Sequence, residues 1–542
     1  MKTNFFLLPL LALPWLSVAQ PKDTTPVVAG KDVAVVPTES GKVRGYVHNG
    51  TFTFKGIPYA KAARFMAPAK PDSWTGVRSS TTYGPVCPID PTTSVYDEIE
   101  FSFQHNWGYM NENCLSLNVW SPRLDTRKRP VLVWLHGGGF AAGSSVELPS
   151  YDGENLAHRN DVVVVSVNHR LNVLGFLDLS AYGEKYQSSA NAGLLDLVAA
   201  LQWVRANVAA FGGDPNNVTI FGQSGGGGKV TSLMNAPSAK GLFHKAIVQS
   251  GSYVNTFTEK EVSQQVAAAL LDELHLQPGQ VDSLQTISYE RLSAASKKAL
   301  RRVGERLKGD ARPAFGLSWG PTHDGTFLPY QPAEPAALEL AKNVPLLVGS
   351  TKTEFGPFSP ANRPTDVDAA KAALRTRYAD KTDAYLAALK KAYPETSQAA
   401  DYVNVDIGFR AGTIRQATQK AGVAGAAPVY MYVFTWASPV NDGIYKSMHC
   451  MELPFVFDNI ARCEEMTGGG RDAHVLADRM SKAWVAFART GNPNHKGLPN
   501  WPAYTAQNGA AMLFDNTCQV KSHHDKELIE VATGKPSIAA TR

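Results

Sequence analysis

Short apolar runs that do not alternate with polar residues constrain this chain most. VLVWL (131 to 135), VVVVSV (162 to 167), VTIF (218 to 221), AIVQS (246 to 250), PLLVGS (345 to 350) and YMYVFTW (430 to 436) are rich in β-branched and aromatic residues. A strand with one wet face alternates with period two, so these runs predict strands covered on both faces, as in a parallel sheet. Between them, LLDLVAALQWVRANVAAF (194 to 211) places apolar residues at helical spacing. An α/β chain is expected. Residues 255 to 310 and 360 to 425 read as helical insertions, which either pack around the sheet or wall a cleft. With no repeat, heptad run or low-complexity linker, one compact catalytic unit is expected.

With 44% hydrophobic and 19% charged residues, the 542-residue chain can bury a large core. A net charge of +5 without a long basic block argues against a nucleic-acid partner. Lys2, the apolar run Phe5 to Leu16 and the small residues Ser17, Val18 and Ala19 predict a signal peptide, residues 1–19, cut after Ala19. A secreted or periplasmic protein follows from that reading. Pro9, Pro14 and the shortness of the run argue against a membrane anchor, and no stable membrane insertion is expected elsewhere. Neither a C-x-x-C pair nor a histidine cluster suggests a metal. Closing the loop of about 27 residues between Cys87 and Cys114 would stabilise by roughly 3 to 4 kcal/mol. Cys450, Cys463 and Cys518 leave at least one thiol free or paired between chains.

The stretch VTIFGQSGGGGKVTSLM (Val218 to Met234) admits two chemistries. A phosphate loop needs a glycine, four residues, then Gly-Lys-Ser/Thr. Gln223 stands where the first glycine is required and Val230 where the hydroxyl is required, so that reading fails twice. Gly222, Gln223, Ser224, Gly225 and Gly226 instead satisfy G-x-S-x-G between a strand and a helix. On so tight a turn the flanking positions have no room for side chains, and Ser224 projects from the sheet's carboxyl edge as a nucleophile. The Gly225 amide and the positive helix end then face the reacting carbonyl. GLSWG (Gly316 to Gly320) spells the same motif, but Arg312 and Pro313 precede it and Pro321 follows, so Ser318 reads as ordinary loop.

A serine hydroxyl needs a base, an orienter for that base, and donors for the oxyanion. After VLVWL come His136, Gly137, Gly138, Gly139 and Phe140, the H-G-G-G form of an oxyanion element. Gly138 and Gly139 are assigned as donors beside Gly225.

GKVRG and FKGIPYA (41 to 60), NENCLSLNVWSP (111 to 122), VLVWLHGGGFAAGS (131 to 144), NHRLNVLGFL (168 to 177), residues 193 to 226, HDGTFLP (323 to 329), HCMELPFVFDN (449 to 459) and FARTGNPN (487 to 494) together resemble the type-B carboxylesterases. These are relatives of cholinesterases and fungal lipases on the α/β-hydrolase fold. The resemblance covers about 38 to 520, with an N-terminal extension at 20–37 and a tail at 521–542. It implies a large, mostly parallel twisted sheet flanked by helices, with helical insertions forming an active-site gorge. It places the acid at Glu354 in GSTKTEFGPF and the base at His449 in SMHCMELPF, in the order serine, acid, histidine. Asp324 and Asp442 are the rival carboxylates. His136, His169 and His323 lie in family motifs without matching its base, and Ser250 matches a position near the histidine. Arg64 with Glu112, and Arg170 with Asp196, look like the family's internal ion pairs; Cys87 with Cys114 looks like its first disulfide.

The implied activity is that of a serine esterase working through an acyl-enzyme on a small-molecule ester, with no cofactor. Where the family usually carries glutamate before the nucleophile, this chain has Gln223. A carboxylate about 4 Å from a cation is worth up to about 4 kcal/mol at an effective dielectric near 20, and that attraction is missing. Trp107 does not have the spacing of the tryptophan that holds a quaternary ammonium in cholinesterases. Choline esters are thus disfavoured, and uncharged esters are expected against an aromatic wall of Trp107, Phe140, Trp319, Phe358 and Phe409. The other reading is an adhesion or binding member of the same fold family that has lost its nucleophile. Intact Ser224, Glu354 and His449 count against it.

Overall fold

Each of the six apolar runs forms a strand: Arg129–Leu135, Val163–Val167, Gly213–Gln223, Lys245–Gln249, Leu346–Thr351 and Val429–Phe434. The structure is a computed structural model and describes residues 26–90, 97–252, 257–307 and 316–535. These strands, with Ala510–Phe514, pair in parallel in the order 163–167, 129–135, 213–223, 245–249, 346–351, 429–434, 510–514. Gln519–Ser522 adds an antiparallel strand at one edge; Ser116–Ser121, Thr51–Pro58 and Tyr46–His48 extend the other, completing an 11-stranded mixed sheet. Both faces of the parallel strands are covered, which is why their sequences lack alternation.

Register decides where the chemistry can sit. Leu135 pairs with Gly222, Gln223 with Gln249, Gln249 with Gly349, and Thr351 with Phe434. The carboxyl ends of five neighbouring strands therefore finish almost level. The loops that follow them emerge together on one edge, where open α/β sheets bind their ligands.

The run from Glu184 to Phe211 is long and apolar enough to cross a membrane, yet it is mostly buried within the protein. Its central helix, Ala192–Asn207, encloses Asp196, which takes Arg170 Nε at 2.8 Å and Nη2 at 2.6 Å. Arg170 also donates to the Met66 carbonyl at 2.8 Å, tying the helix to the N-terminal part of the chain. The second expected pair also forms, with Arg64 Nε donating to Glu112 Oε2 at 2.6 Å.

In the first insertion, helices Lys260–Glu273 and Tyr289–Gly304 pack on each other and join the main core. In the second, helices Val367–Tyr378 and Thr382–Ala392 enclose a separate cluster that includes Tyr385, Leu389 and Leu528. Leu528 comes from helix Lys526–Thr533, so the packed body runs past residue 520. At the other end, Val28 bridges to Val47 and Val35–Thr38 is a strand. The expected signal peptide, residues 1–19, lies outside the described residues.

Cys87 and Cys114, the pair expected to form a disulfide, are both buried and in contact, and are free thiols in this structure. Contact with Cys87 and burial hold the Cys114 thiol well above the usual range.

Asp196→Ala leaves the Arg170 guanidinium buried without its counter-charge, a change that costs about 3 to 5 kcal/mol. Urea unfolding should show that loss, while turnover per folded molecule stays near the native value. A variant as stable as the native protein would show that this pair does not hold the helix.

Candidate active site

Strand Gly213–Gln223 ends one residue before Ser224, and helix Gly225–Met234 begins one residue after it. Ser224 has φ 56° and ψ −126°, a conformation that non-glycine residues rarely adopt. The surroundings hold it there. A Cβ on Gly222 would lie 2.5 Å from the Gly226 carbonyl carbon, and one on Gly226 would lie 2.0 Å from the Leu135 oxygen. One on Gly225 would lie 2.1 Å from the Gly139 oxygen, and one on Gly251 would lie 2.4 Å from the Ser224 oxygen. The glycine run lets the helix start in direct backbone contact with the strand end and loop beside it.

The candidate acid and base come from loops after the strands two and three places along the sheet. Glu354 follows strand Leu346–Thr351, His449 lies in the segment after Val429–Phe434, and the 354 and 448 backbones form a parallel bridge. His449 Nδ1 donates to Glu354 Oε2, while Glu354 Oε1 accepts from Ser250 Oγ at 2.6 Å and the Thr351 amide at 2.8 Å. Three donors fix the carboxylate, and through it the imidazole tautomer that leaves Nε2 as acceptor. Ser250 is thus a hydrogen-bond support for the acid. The rival carboxylates make other contacts: Asp324 caps a turn through the Thr326 and Leu328 amides and holds Asn191, and Asp442 sits in a short turn at φ 55°.

Among the described residues, the Ser224 hydroxyl makes no hydrogen bond to the imidazole. Gln223 Nε2 stands 3.3 Å from His449 Nδ1 and 3.2 Å from Nε2. A group so nearly equidistant from both nitrogens lies over the ring face, since in the plane it would collide with the carbon between them. The in-plane lone pair of Nε2 is left to a neighbour such as Ser224. Gln223 is itself held by Cys450, whose thiol donates to Oε1 at 3.0 Å. Catalytic hydrogen bonds are commonly loose before substrate binds.

The candidate oxyanion element occupies the turn after Arg129–Leu135. Gly138 and Gly139 have φ of 79° and 62°, left-handed values suited to glycine. Among the described residues neither amide has an acceptor within the protein. Gly139 touches Gly225, so the three candidate donors are neighbours. His136 and His169 stack with centroids 5.1 Å apart, and both are held neutral well below the usual histidine range by burial and then by the Lys229 charge.

The aromatic residues divide. Phe409 contacts the imidazole at 5.5 Å, and Phe358 packs one ring further out, 6.1 Å from Phe355. Phe140 is buried against Phe176 at the end of the oxyanion loop. Trp107 stacks on His105, and Trp319 lines a separate hollow with Phe176 and Leu317; neither has a ring contact with the triad among the described residues. Ser318 lies in irregular chain, as its context implied. Sequence reasoning missed Phe355, which stacks on His449 at 4.0 Å although 51% exposed. It also left Lys229 without a role once the phosphate loop was rejected.

Two more acids crowd this centre. Burial, then the Glu354 charge, pushes Glu452 up to about 7, and the same causes push Asp406 up to about 7. Glu452 accepts from Gln249 at 3.2 Å, and its other oxygen has no partner among the described residues, an arrangement that suits the protonated acid.

Comparison with known proteins agrees with this geometry. The model of the carboxylesterase family matches residues 32–531. The para-nitrobenzyl esterase of Bacillus subtilis is 37% identical over 91% of this chain and 97% of its own length. The phenmedipham hydrolase of Pseudarthrobacter oxydans is 33% identical over 88% and 94%. The solved structure of an esterase from Clostridium hathewayi, described as able to hydrolyse aliphatic aromatic polyesters, aligns with a TM-score of 0.82 at 38% identity. It covers 94% of this chain and 99% of that one.

Glu452 supplies a pH test. Its folded pKa is raised from 4.5 to about 7, so the native state keeps a proton that the unfolded chain releases. Stability therefore falls as pH rises from about 4.5 to about 7, by up to roughly 3 kcal/mol. Glu452→Gln removes that loss: unfolding at pH 8 and at pH 4.5 should show the variant gaining on the native protein only at the higher pH. An equal difference at both values would mean the side chain titrates normally.

Proposed function

The chain belongs to the carboxylesterase family and is a carboxylic-ester hydrolase, and on that premise we propose that Ser224, His449 and Glu354 form its catalytic triad. Ser224 Oγ attacks the ester carbonyl as His449 Nε2 takes its proton. The carbonyl oxygen becomes an oxyanion received by the Gly138, Gly139 and Gly225 amides. Collapse expels the alcohol, which takes the proton from His449 and leaves an acyl group on Ser224. Water, activated by the same imidazole, then releases the acid. Glu354 keeps Nδ1 protonated and stabilises the imidazolium throughout. The observation that carries this reading is the chain of contacts from Ser250 and Thr351 through Glu354 to an imidazole lying against residue 223, beside a strained Ser224.

Phe355 and Phe409 beside the base, with Phe358 packed beyond Phe355, and a neutral Gln223 before the nucleophile, support uncharged esters with an aromatic or aliphatic body as substrates. The para-nitrobenzyl and polyester activities named for two relatives point the same way. Export is part of the proposal, through the leader ending at Ala19, with Cys87 and Cys114 joining in an oxidising compartment.

Ser224→Ala should reduce p-nitrophenyl ester turnover by at least about 10⁴-fold with unfolding unchanged. Persistent activity would move the nucleophile elsewhere. Protein isolated from the oxidising compartment should yield a peptide linking Cys87 to Cys114 on non-reducing mass spectrometry. Recovery of both as alkylatable thiols would reject the bridge.

A further inference from the structure

The glycine run ends in a lysine that the mechanism above does not use. Lys229 is 0% exposed, and it is the fifth residue of helix Gly225–Met234. Burial pulls its pKa down to about 7, opposed by the Glu147 charge. Around it stand His136 and His169, both neutral, Glu147, whose carboxyl is raised by burial, and the Phe140 ring at 5.8 Å. A lysine kept against that desolvation marks a local conflict of the kind found at functional sites.

Its bonds say where it acts. Nζ donates to the His136 carbonyl at 2.8 Å and the Gly137 carbonyl at 3.4 Å, both in the loop that carries Gly138 and Gly139. The described peptides include no cis bond, and in a trans peptide the C=O and N–H point in opposite directions. Two donors held on the Gly137 oxygen, Lys229 Nζ at 3.4 Å and His136 Nδ1 at 3.0 Å, therefore turn the Gly138 N–H away from them and polarise it. Gly137 itself lies against the nucleophile, since a Cβ there would come 3.5 Å from Ser224 Cβ. We propose that Lys229 is a positioning residue of the oxyanion hole, clamping the His136 and Gly137 carbonyls so that the Gly138 amide meets the developing negative charge. This rests on Ser224 being the nucleophile.

Lys229→Met keeps the length and removes the donor. On the full-length protein it is expected to lower kcat for a p-nitrophenyl ester by about 30- to 100-fold, with KM within about 3-fold. A trifluoromethyl ketone, which adds to the serine and puts an oxyanion in the hole, should lose affinity by the same factor as kcat/KM. A purely structural lysine would not link the two. Undisturbed kcat, or a fall in turnover with unchanged ketone affinity, overturns the proposal. Lys229→Gln is made alongside; if neither variant folds, the lysine belongs to the fold and the proposal is wrong. Fluorophosphonate labelling of the native protein separates the two readings. Label on another residue sinks the nucleophile assignment and this proposal together, whereas label on Ser224 with normal turnover in folded Lys229→Met sinks this one alone.

Discussion

The bend at Ser224 is the constraint on which the rest depends. A non-glycine residue at φ 56° does not hold that conformation unaided, and contacts at every flanking position keep it there. Gly226 rests on the Leu135 carbonyl, Gly225 on Gly139, and Gly251 on the Ser224 carbonyl. Strand ends, oxyanion turn and helix start thus form one packed unit. Any side chain added at these glycines moves the proposed donors and the Ser224 hydroxyl relative to one another.

Electrostatics add a second constraint. Glu354, Asp406 and Glu452 are close enough to influence one another in a buried setting, and ionising all three would leave like charges with little solvent. The hydrogen bonds divide them. Glu354 receives Ser250, Thr351 and His449, whereas one Glu452 oxygen has no donor among the described residues. The donors converge on the carboxylate that touches the imidazole, while Glu452 and Asp406 are pushed up toward neutrality. Gln223 fits this economy, because a further acid over the histidine ring would stabilise the imidazolium and compete for the same proton.

How much of this was legible depended on whether the signal lay in backbone requirements or in side-chain meetings. The parallel strands announced themselves because burial on both faces removes alternation, and the bend announced itself through glycines at fixed offsets from Ser224. Glu354 and His449 came from resemblance, since no local pattern tells one acid or histidine from another. Trp107 and Trp319 were grouped with the site by residue type alone; both pack against the main core, and neither has a ring contact with His449 among the described residues. Phe355 escaped because nothing in its sequence neighbourhood says that the turn at Glu354, with φ 39°, swings the next ring onto His449. The Cys87 and Cys114 contact was readable as a pairing, although the structure holds them as thiols.

Lys229 was visible from the start and unexplained for a physical reason. Its meaning lies in two backbone carbonyls more than ninety residues earlier, and no motif encodes a bond to a carbonyl. The same letters that suggest a phosphate cradle, glycines followed by lysine, here serve the opposite geometry. On the proposed reading the lysine lies behind the amides, on the carbonyl side of the loop, while the amides face the ligand. Both arrangements present positive potential to an oxyanion. In one the ammonium meets it directly, and in the other it acts through a polarised peptide, which lets the site hold a transient charge without exposing a permanent one to solvent.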